Sequence, residues 1–247
     1  MCKACFQLVQ SEAAADAGLR RAVVISSNCV AGYSRDPDIL FDEESPDEPF
    51  MTYGKSKSGL EAAVRNAHDS GRIETVIIRP CWFYGPDQPP RQTEFFHMIR
   101  DGGAPIIGEG LNKRSLSYVD NSCQALALAD RKDEAAGQTY WVADRRPYAM
   151  SEIVDTVERL LEEEFDIEVA HKRLRLPGLA CEVALMADWC MQKVNLYQKH
   201  VHVLSEMNKT IACSVEKAER ELGYDPKVSL EEGMRRSLVW CRDRGLL

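Results

Sequence analysis

Short apolar runs alternate along the chain with segments of helical periodicity, which is the pattern of an α/β protein with a mainly parallel sheet. The runs at 21–26 and 75–79 are rich in β-branched residues and unbroken by polar positions, as in parallel strands that are buried on both faces. A third run at 139–143 has the same length. In open α/β sheets ligands bind beyond the carboxyl ends of the strands, so we expect function to lie after Ser26 and after Arg79.

Helical patterns fill most of the remaining sequence, and several carry their own end signals. Ser151 is the expected N-cap of one helix, Gly223 the expected stop of another, and Ser229 to Glu232 form a capping box. The predicted helices cover 3–17, 53–69, 151–165, a segment from Ser214 to Gly223, and a segment that begins at Ser229. The apolar stretch Leu176 to Met191 is interrupted by Glu182 and Asp188, so it predicts a helix packed on the protein and not a membrane span.

Composition narrows the class of protein. The chain has 247 residues, 45% of them hydrophobic, with a formal charge of −8 and a pI near 5.3. An acidic protein of this kind is not expected to bind nucleic acid, and no stretch predicts a membrane partner. The start of the sequence lacks the layout of a secretion signal, so we predict a cytoplasmic protein. The nine cysteines include Cys2 and Cys5 in a CxxC, but no second pair follows at zinc-ligand spacing, and no metal site is predicted.

The candidate chemistry begins with Tyr53-Gly-Lys-Ser-Lys57, which puts a phenol and an ammonium on one face of a helix. A tyrosine with a pKa near 10 is a weak base at neutral pH, but an adjacent cation stabilises its phenolate. This spacing by itself also fits an exposed pair on a helix surface. Ser27 adds context, because it ends a buried strand and places a hydroxyl where a substrate oxygen would lie.

These motifs, taken in order, resemble the extended short-chain dehydrogenase/reductase family. The shared features are a strand that ends in Ser-Ser, a following Val-x-Gly, Tyr-x-x-x-Lys, a strand that ends in Arg-Pro, and Tyr-Gly-Pro. Here they are Ser26-Ser27, Val30-Ala-Gly32, Tyr53 to Lys57, Arg79-Pro80 and Tyr84-Gly-Pro86. The resemblance continues through 108–110, Arg114 to Asp120 and Glu221 to Tyr224, so it covers nearly the whole chain.

The resemblance implies roles for individual residues. Ser27 orients the substrate oxygen, Tyr53 exchanges its proton, and Lys57 lowers the tyrosine pKa and holds the nicotinamide ribose of NAD or NADP. The segment from Pro80 through Cys81 and Trp82 to Phe83 would line the nicotinamide. The resemblance also implies a homodimer, because family members often dimerise through the helix that carries Tyr and Lys.

The fold implied is a partial Rossmann-like parallel sheet with a smaller C-terminal substrate-binding domain. We expect the first part to comprise residues 1–85 and 116–144, and the second 86–115 and 145–247. Family members open with a glycine-rich strand, turn and helix that hold the dinucleotide pyrophosphate, and this sequence shows no such segment. We therefore expect either a fragment of a longer enzyme or a sheet completed by another polypeptide. In both cases the strand at 22–26 would lie at an apolar sheet edge.

Three functions stay open at this point. Arg114, four residues before Tyr118-Val-Asp120, resembles the arginine that meets the diphosphate in nucleotide-sugar epimerases and dehydratases, and a guanidinium suits phosphate oxygens. No Asp-Glu pair stands beside Ser27, as a dehydratase would need. The run Ser26-Ser-Asn-Cys-Val-Ala-Gly32 resembles instead the 3β-hydroxysteroid dehydrogenase branch, which oxidises apolar alcohols. The third alternative is a non-catalytic binding relative. We favour hydride and proton transfer at a carbinol carbon of a nucleotide sugar.

Overall fold

The structure, a computed structural model, describes residues 13–247 except 15, 35, 37, 194, 195 and 197. The helix predicted at 3–17 and the Cys2–Cys5 pair lie almost wholly outside the described residues. The strands are β1 (Arg21–Ile25), β2 (Glu74–Pro80), β3 (Trp82–Tyr84), β4 (Pro105–Ile107), β5 (Lys113–Arg114), β6 (Leu116–Tyr118), β7 (Thr139–Val142), β8 (Tyr148–Ala149) and β9 (Leu174–Leu176). The helices are α1 (Met51–Asp69), α2 (Pro90–Arg100), α3 (Val119–Arg131), α4 (Met150–Phe165), α5 (Gly178–Lys193), α6 (Lys199–Glu206) and α7 (Leu230–Asp243).

The central sheet is parallel, in the order β1-β2-β7, and confirms the predicted α/β class. Strand β2 alternates its contacts between the two faces: Ile77 packs with Leu60 and Val64 of α1, while Val76 and Ile78 pack in a second core that includes Ala125 of α3. Helices therefore cover both faces, which explains why these strands read as continuous apolar runs. Within the described residues β1 pairs only with β2 and lies at the sheet edge, as predicted.

The other described strands form three small two-stranded sheets outside the central sheet. β3 pairs with β6 and β4 with β9, both parallel, and β5 pairs antiparallel with β8. A large core of aromatic and aliphatic side chains joins β3 and β6 to helices α2, α4 and α7. Buried Asp144 ties these parts together, because it accepts hydrogen bonds from the Tyr84 hydroxyl at 2.7 Å, the Asn121 side chain at 2.9 Å and the Tyr118 amide at 3.1 Å.

Helix ends show where local signals held and where they failed. Ser229 caps α7 by accepting a hydrogen bond from the Glu232 amide, and Gly223 takes a left-handed φ of 71° at the end of a short π-helical turn, Ala218–Leu222. The helix start at Ser229 and the helix stop at Gly223 both agree with the predictions from the sequence. The prediction that Ser151 caps α4 was wrong: α4 begins at Met150, and its N-cap is Ala149, which makes no side-chain hydrogen bond. The Ser151 amide instead donates to the Gly110 carbonyl, so a contact from outside the helix replaces the cap.

Candidate active site

The candidate site lies at the carboxyl end of β1, where Ser27 opens a short 3-10 turn, Asn28–Val30. The Ser27 side chain is only 8% exposed, and its Oγ accepts a hydrogen bond from the Cys29 amide at 3.3 Å. The Ser27 hydroxyl also donates to the Asn28 Oδ1 at 3.3 Å, and Ser27 lowers the pKa of the nearby Tyr53 phenol. Ser27 therefore caps the turn and faces the helix that carries the tyrosine.

Tyr53 and Lys57 occupy successive turns of α1 on the side that faces β1. The Lys57 Nζ donates a hydrogen bond to the Ile25 carbonyl at 3.0 Å, and the residue is buried. Tyr53, by contrast, is 50% exposed, so its ring remains open to a ligand. A hydroxyl, a phenol and an ammonium thus converge at one strand end, as the resemblance implies.

The environment acts on the Tyr53 phenol in two directions. Partial burial raises the pKa of Tyr53, and the nearby Ser27 opposes that rise. The positive charge of Arg91, at the start of α2, also lowers this pKa. Since the net shift is upward, Tyr53 is protonated at neutral pH in this arrangement and needs further positive charge nearby to act as a base.

A glycine sets how closely α1 approaches the Ser27 turn. A Cβ on Gly54 would lie 2.4 Å from the Cys29 carbonyl oxygen and 2.9 Å from the Pro49 carbonyl carbon, both backbone atoms that cannot move aside. Residue 54, directly after Tyr53, must therefore be glycine for α1 to pack this closely against the turn. Met51, the first helical residue, has a φ of 53°, a left-handed conformation that is uncommon outside glycine.

Arg79, the first residue of the Arg-Pro motif, forms a buried ion pair beneath the site. Its guanidinium donates two hydrogen bonds to Glu61 of α1, at 2.9 and 2.7 Å, and one to Asp47 at 2.7 Å. The side chains of Arg79 and Glu61 are 3% and 1% exposed. This buried ion pair fastens α1 to β2, so Arg79 positions the helix that carries Tyr53 and is not free to bind a ligand.

The segment predicted to line the nicotinamide follows directly after β2. Pro80 is the last residue of β2 and pairs with Val142 of β7. The Cys81 amide donates to the Ser117 hydroxyl at 2.9 Å, and its thiol lies 3.5 Å from that of Cys213.

Trp82 stacks obliquely on Phe95 with ring centroids 5.4 Å apart, and Phe83 is half-buried. Contact between this segment and a nicotinamide stays a prediction, and for Cys81 it would involve the backbone.

Arg114 reaches the site from β5. Its guanidinium donates to the Glu206 carbonyl, and burial lowers the pKa of Arg114 while the Glu206 carboxylate raises it. Cys29 lies within electrostatic reach of both Arg114 and Arg91, and burial raises the pKa of its thiol. Arg114 therefore lies close enough to the Ser27 turn to act on Cys29.

Three residues near the site were not predicted from the sequence: Cys29, Arg91 and Glu206. Cys29 lies two residues after Ser27 and could have been found from that position alone. Arg91 and Glu206 come from distant segments, and no local pattern marks them. A narrow crevice next to Cys29 is bounded by Gly32, Tyr33, Phe50, Glu206, Lys209 and Ile211.

Comparison with known proteins identifies the class. Residues 6–143, more than half of the chain, match the model of the NAD dependent epimerase/dehydratase family. The chain belongs to this family. That assignment confirms the resemblance to extended short-chain dehydrogenases/reductases and the Rossmann-like fold.

Individual members of the NAD dependent epimerase/dehydratase family match nearly the whole chain. Protein y4nL of Sinorhizobium fredii is 47% identical over 234 residues, which are 94% of this chain and 66% of that protein. The 2-alkyl-3-oxoalkanoate reductase of Stenotrophomonas maltophilia is 28% identical, over 89% of this chain and 68% of its own. A double mutant of the dTDP-glucose 4,6-dehydratase DesIV of Streptomyces venezuelae, solved with NAD bound, superimposes with a TM-score of 0.68 at 27% identity. The superposition covers 95% of this chain and 64% of the dehydratase. The chain therefore spans about two thirds of the length of these relatives.

The described residues fit one half of a dinucleotide. Ser27, Tyr53 and Lys57 converge at a strand end, and the half-exposed phenol leaves room for a planar ring against it. These residues would hold the nicotinamide and its ribose, because hydroxyl, phenol and ammonium groups can bond sugar hydroxyls. Within residues 13–247, apart from the gaps given above, no glycine-rich strand, turn and helix holds the pyrophosphate half.

Proposed function

We propose that this chain forms the catalytic and substrate-binding part of an NAD(P)-dependent oxidoreductase or epimerase that acts on a carbinol carbon of a nucleotide sugar. The observation that carries the proposal is the convergence of Ser27, Tyr53 and Lys57 at the carboxyl end of β1. In a member of the NAD dependent epimerase/dehydratase family, these three groups would take the proton from a hydroxyl oxygen while the nicotinamide accepts the hydride from the carbon that bears it.

The steps follow from the three side chains. The Ser27 hydroxyl donates to the substrate oxygen and fixes its position, while the Tyr53 phenolate removes the hydroxyl proton. Arg91 lowers the pKa of Tyr53, and the Lys57 ammonium, one helical turn away, would add positive charge that stabilises the phenolate against the effect of partial burial. NAD(P), when bound, supplies the hydride acceptor. Epimerisation would require the sugar to turn within the site, so that hydride returns to the opposite face.

The base assignment is tested by Tyr53→Phe in the full-length protein. The variant should lose turnover about a hundredfold or more, because it lacks the proton carrier, and should keep its affinity for the dinucleotide. Tyr33→Phe is the matched control, since Tyr33 borders the adjacent crevice and packs edge-on against Phe50 at 5.5 Å. If Tyr53→Phe retained the turnover of Tyr33→Phe, the assignment of Tyr53 as the base would be wrong.

Arg114 supports the nucleotide-sugar substrate. A guanidinium beside the Ser27 turn can bind a diphosphate with paired hydrogen bonds, and each bond to a charged group contributes about 1.5–3 kcal/mol. Arg114→Lys keeps the positive charge near Glu206 and removes the planar fork. We expect it to weaken binding of UDP, measured by titration calorimetry, by about tenfold or more.

The adjacent residue gives the control for this experiment. Lys113 lies in the same strand, directly before Arg114, and pairs with Asp38 at 3.0 Å. Lys113→Gln should bind UDP like the parent protein. Equal UDP affinity in Arg114→Lys and Lys113→Gln would reject the nucleotide-sugar substrate.

An apolar alcohol is the second candidate substrate. The run Ser26-Ser-Asn-Cys-Val-Ala-Gly32 at the end of β1 supports it, because this run resembles the 3β-hydroxysteroid dehydrogenase branch. The similarity to a 2-alkyl-3-oxoalkanoate reductase supports the same substrate class. Turnover of a long-chain 3-hydroxy acid, unaffected by Arg114→Lys and absent with nucleotide sugars, would favour this candidate.

A further inference from the structure

Helix α5 exposes an apolar face to solvent. Leu179, Val183 and Met186 are 73%, 60% and 71% exposed, and Trp189 is 51% exposed. Together with Cys190 they follow the spacing of one side of a helix. We call these five residues the apolar face of α5. A contiguous apolar surface of this kind marks an interaction site in most soluble proteins.

The inward side of α5 is built in the opposite way. Its buried residues are Cys181, Ala184 and Asp188, which are small or polar. An ordinary amphipathic helix turns most of its large apolar residues towards the core, whereas α5 exposes four of them and only Leu185 and Met191 are partly buried. Burial in the described part of the fold therefore does not account for Leu179, Val183, Met186 and Trp189.

Contacts at both ends fix α5 in this orientation. The Gln192 Oε1 accepts hydrogen bonds from the amide and the hydroxyl of Thr52, at 3.2 and 2.9 Å. Glu182 accepts hydrogen bonds from Asn208, at 3.0 Å, and from Lys209. Rotating the helix to bury its apolar face would break all of these bonds.

Exposed cations precede α5 in the sequence, and another ends it. Lys172 and Arg175 are exposed just before the helix, and Lys193 ends it with its Nζ 3.5 Å from the centre of the Trp189 ring. The two acidic residues of α5 do not offset these cations, because Glu182, with a side chain 44% exposed, is paired with Lys209 and Asp188 is buried. This pattern contrasts with the chain's formal charge of −8. Apolar side chains, a tryptophan and flanking cations together suit the interface of an anionic membrane.

A second copy of the chain suits this surface less well. In a two-fold contact through α5, antiparallel helices would bring Lys193 of one copy towards Lys172 and Arg175 of the other. Like charges facing each other across an interface oppose association.

We propose that α5 docks on an anionic lipid bilayer and lies in the plane of its surface. At 16 residues the helix is about 24 Å long, which is shorter than a membrane span. No helix in the described part of the chain is long and apolar enough to cross a membrane. The sequence-based expectation of no membrane partner considered only such spans. Because Gln192 contacts Thr52, the residue before Tyr53, docking would bring the mouth of the candidate site close to the bilayer.

Vesicle flotation with the 247-residue chain tests the proposal. The chain should float with vesicles of phosphatidylcholine and phosphatidylglycerol, and far less with phosphatidylcholine alone or at high salt. Val183→Glu should lower the partition coefficient about tenfold or more, because burial of one such side chain contributes about that factor. Leu111→Glu is the matched control, since Leu111 is 62% exposed and lies outside α5. Circular dichroism verifies that both variants fold.

A second variant separates charge from apolar burial. Lys172→Glu combined with Arg175→Glu should weaken binding to the anionic vesicles by roughly fivefold or more per residue. Brominated lipids should quench the fluorescence of the parent protein and not that of Trp189→Phe. The proposal is overturned if the chain does not bind anionic vesicles, if Leu111→Glu loses as much binding as Val183→Glu, or if ultracentrifugation shows a dimer that Val183→Glu dissociates.

Discussion

The buried ion pair between Arg79 and Glu61 makes a specific prediction about stability. Glu61→Gln keeps the size of the side chain and removes its charge, which leaves the Arg79 guanidinium buried with only Asp47 as an ionic partner. Removing one partner from a buried pair costs about 3–5 kcal/mol, since the remaining charge is desolvated without compensation. We expect a loss of about 3 kcal/mol, the lower end of that range, because Asp47 still neutralises part of the charge.

Urea unfolding followed by circular dichroism measures this loss at neutral pH. The control is Glu152→Gln, whose carboxylate pairs with Arg146 at the surface, with side chains 36% and 58% exposed. Solvent screens that pair, so its loss should change the free energy of unfolding by less than about 1 kcal/mol. Glu61→Leu combined with Arg79→Met should recover most of the stability, because it replaces both charges by apolar groups. Equal losses in Glu61→Gln and Glu152→Gln would refute the reasoning.

The same pair predicts a pH dependence. Burial raises the pKa of Glu61, but the hydrogen bonds and charge of Arg79 outweigh burial and hold this pKa below its ordinary value. A carboxyl whose pKa is lower in the folded state stabilises the fold above its unfolded pKa, about 4.3, and loses that contribution as the pH falls through the folded value. The difference in unfolding free energy between the parent protein and Glu61→Gln should therefore shrink below about pH 4. A difference that grows with acidity would contradict the assignment.

Three further predictions concern packing and exposure. Gly54→Ala should destabilise the protein by about 1–3 kcal/mol in the same urea assay, because its Cβ would meet the Cys29 carbonyl at 2.4 Å, whereas Gly59→Ala, at an open position of α1, should not. Ser229→Ala should cost about 1 kcal/mol by removing the cap of α7, and Ser229→Asp should restore it. N-ethylmaleimide should label Cys123 and Cys190 in the native protein, and Cys81 and Cys213 only after unfolding, as mapped by peptide mass spectrometry; native labelling of Cys81 would contradict its burial.

Local patterns in the sequence were sufficient for the parts of the fold that depend on neighbours in the chain. Helical periodicity put Tyr53 and Lys57 on one face of α1, and β-branched runs located β1 and β2 to within one or two residues. Both signals arise from backbone geometry and from burial on both faces of a sheet, which repeat over a few residues. The family assignment rested on several such motifs in a fixed order.

Only the tertiary structure decided how the side chains are used. The pairing of Arg79 with Glu61 could not be predicted from the Arg-Pro motif, and Arg91 and Glu206 come near the Ser27 turn from distant segments. The sequence also could not show which face of α5 is exposed, since an apolar helix can turn its large residues inwards or outwards. Ion pairing, desolvation and helix orientation depend on groups brought together across the fold. The sequence alone therefore placed Tyr53 and Lys57 on one helix face, and the fold determined their surroundings and the surface beside them.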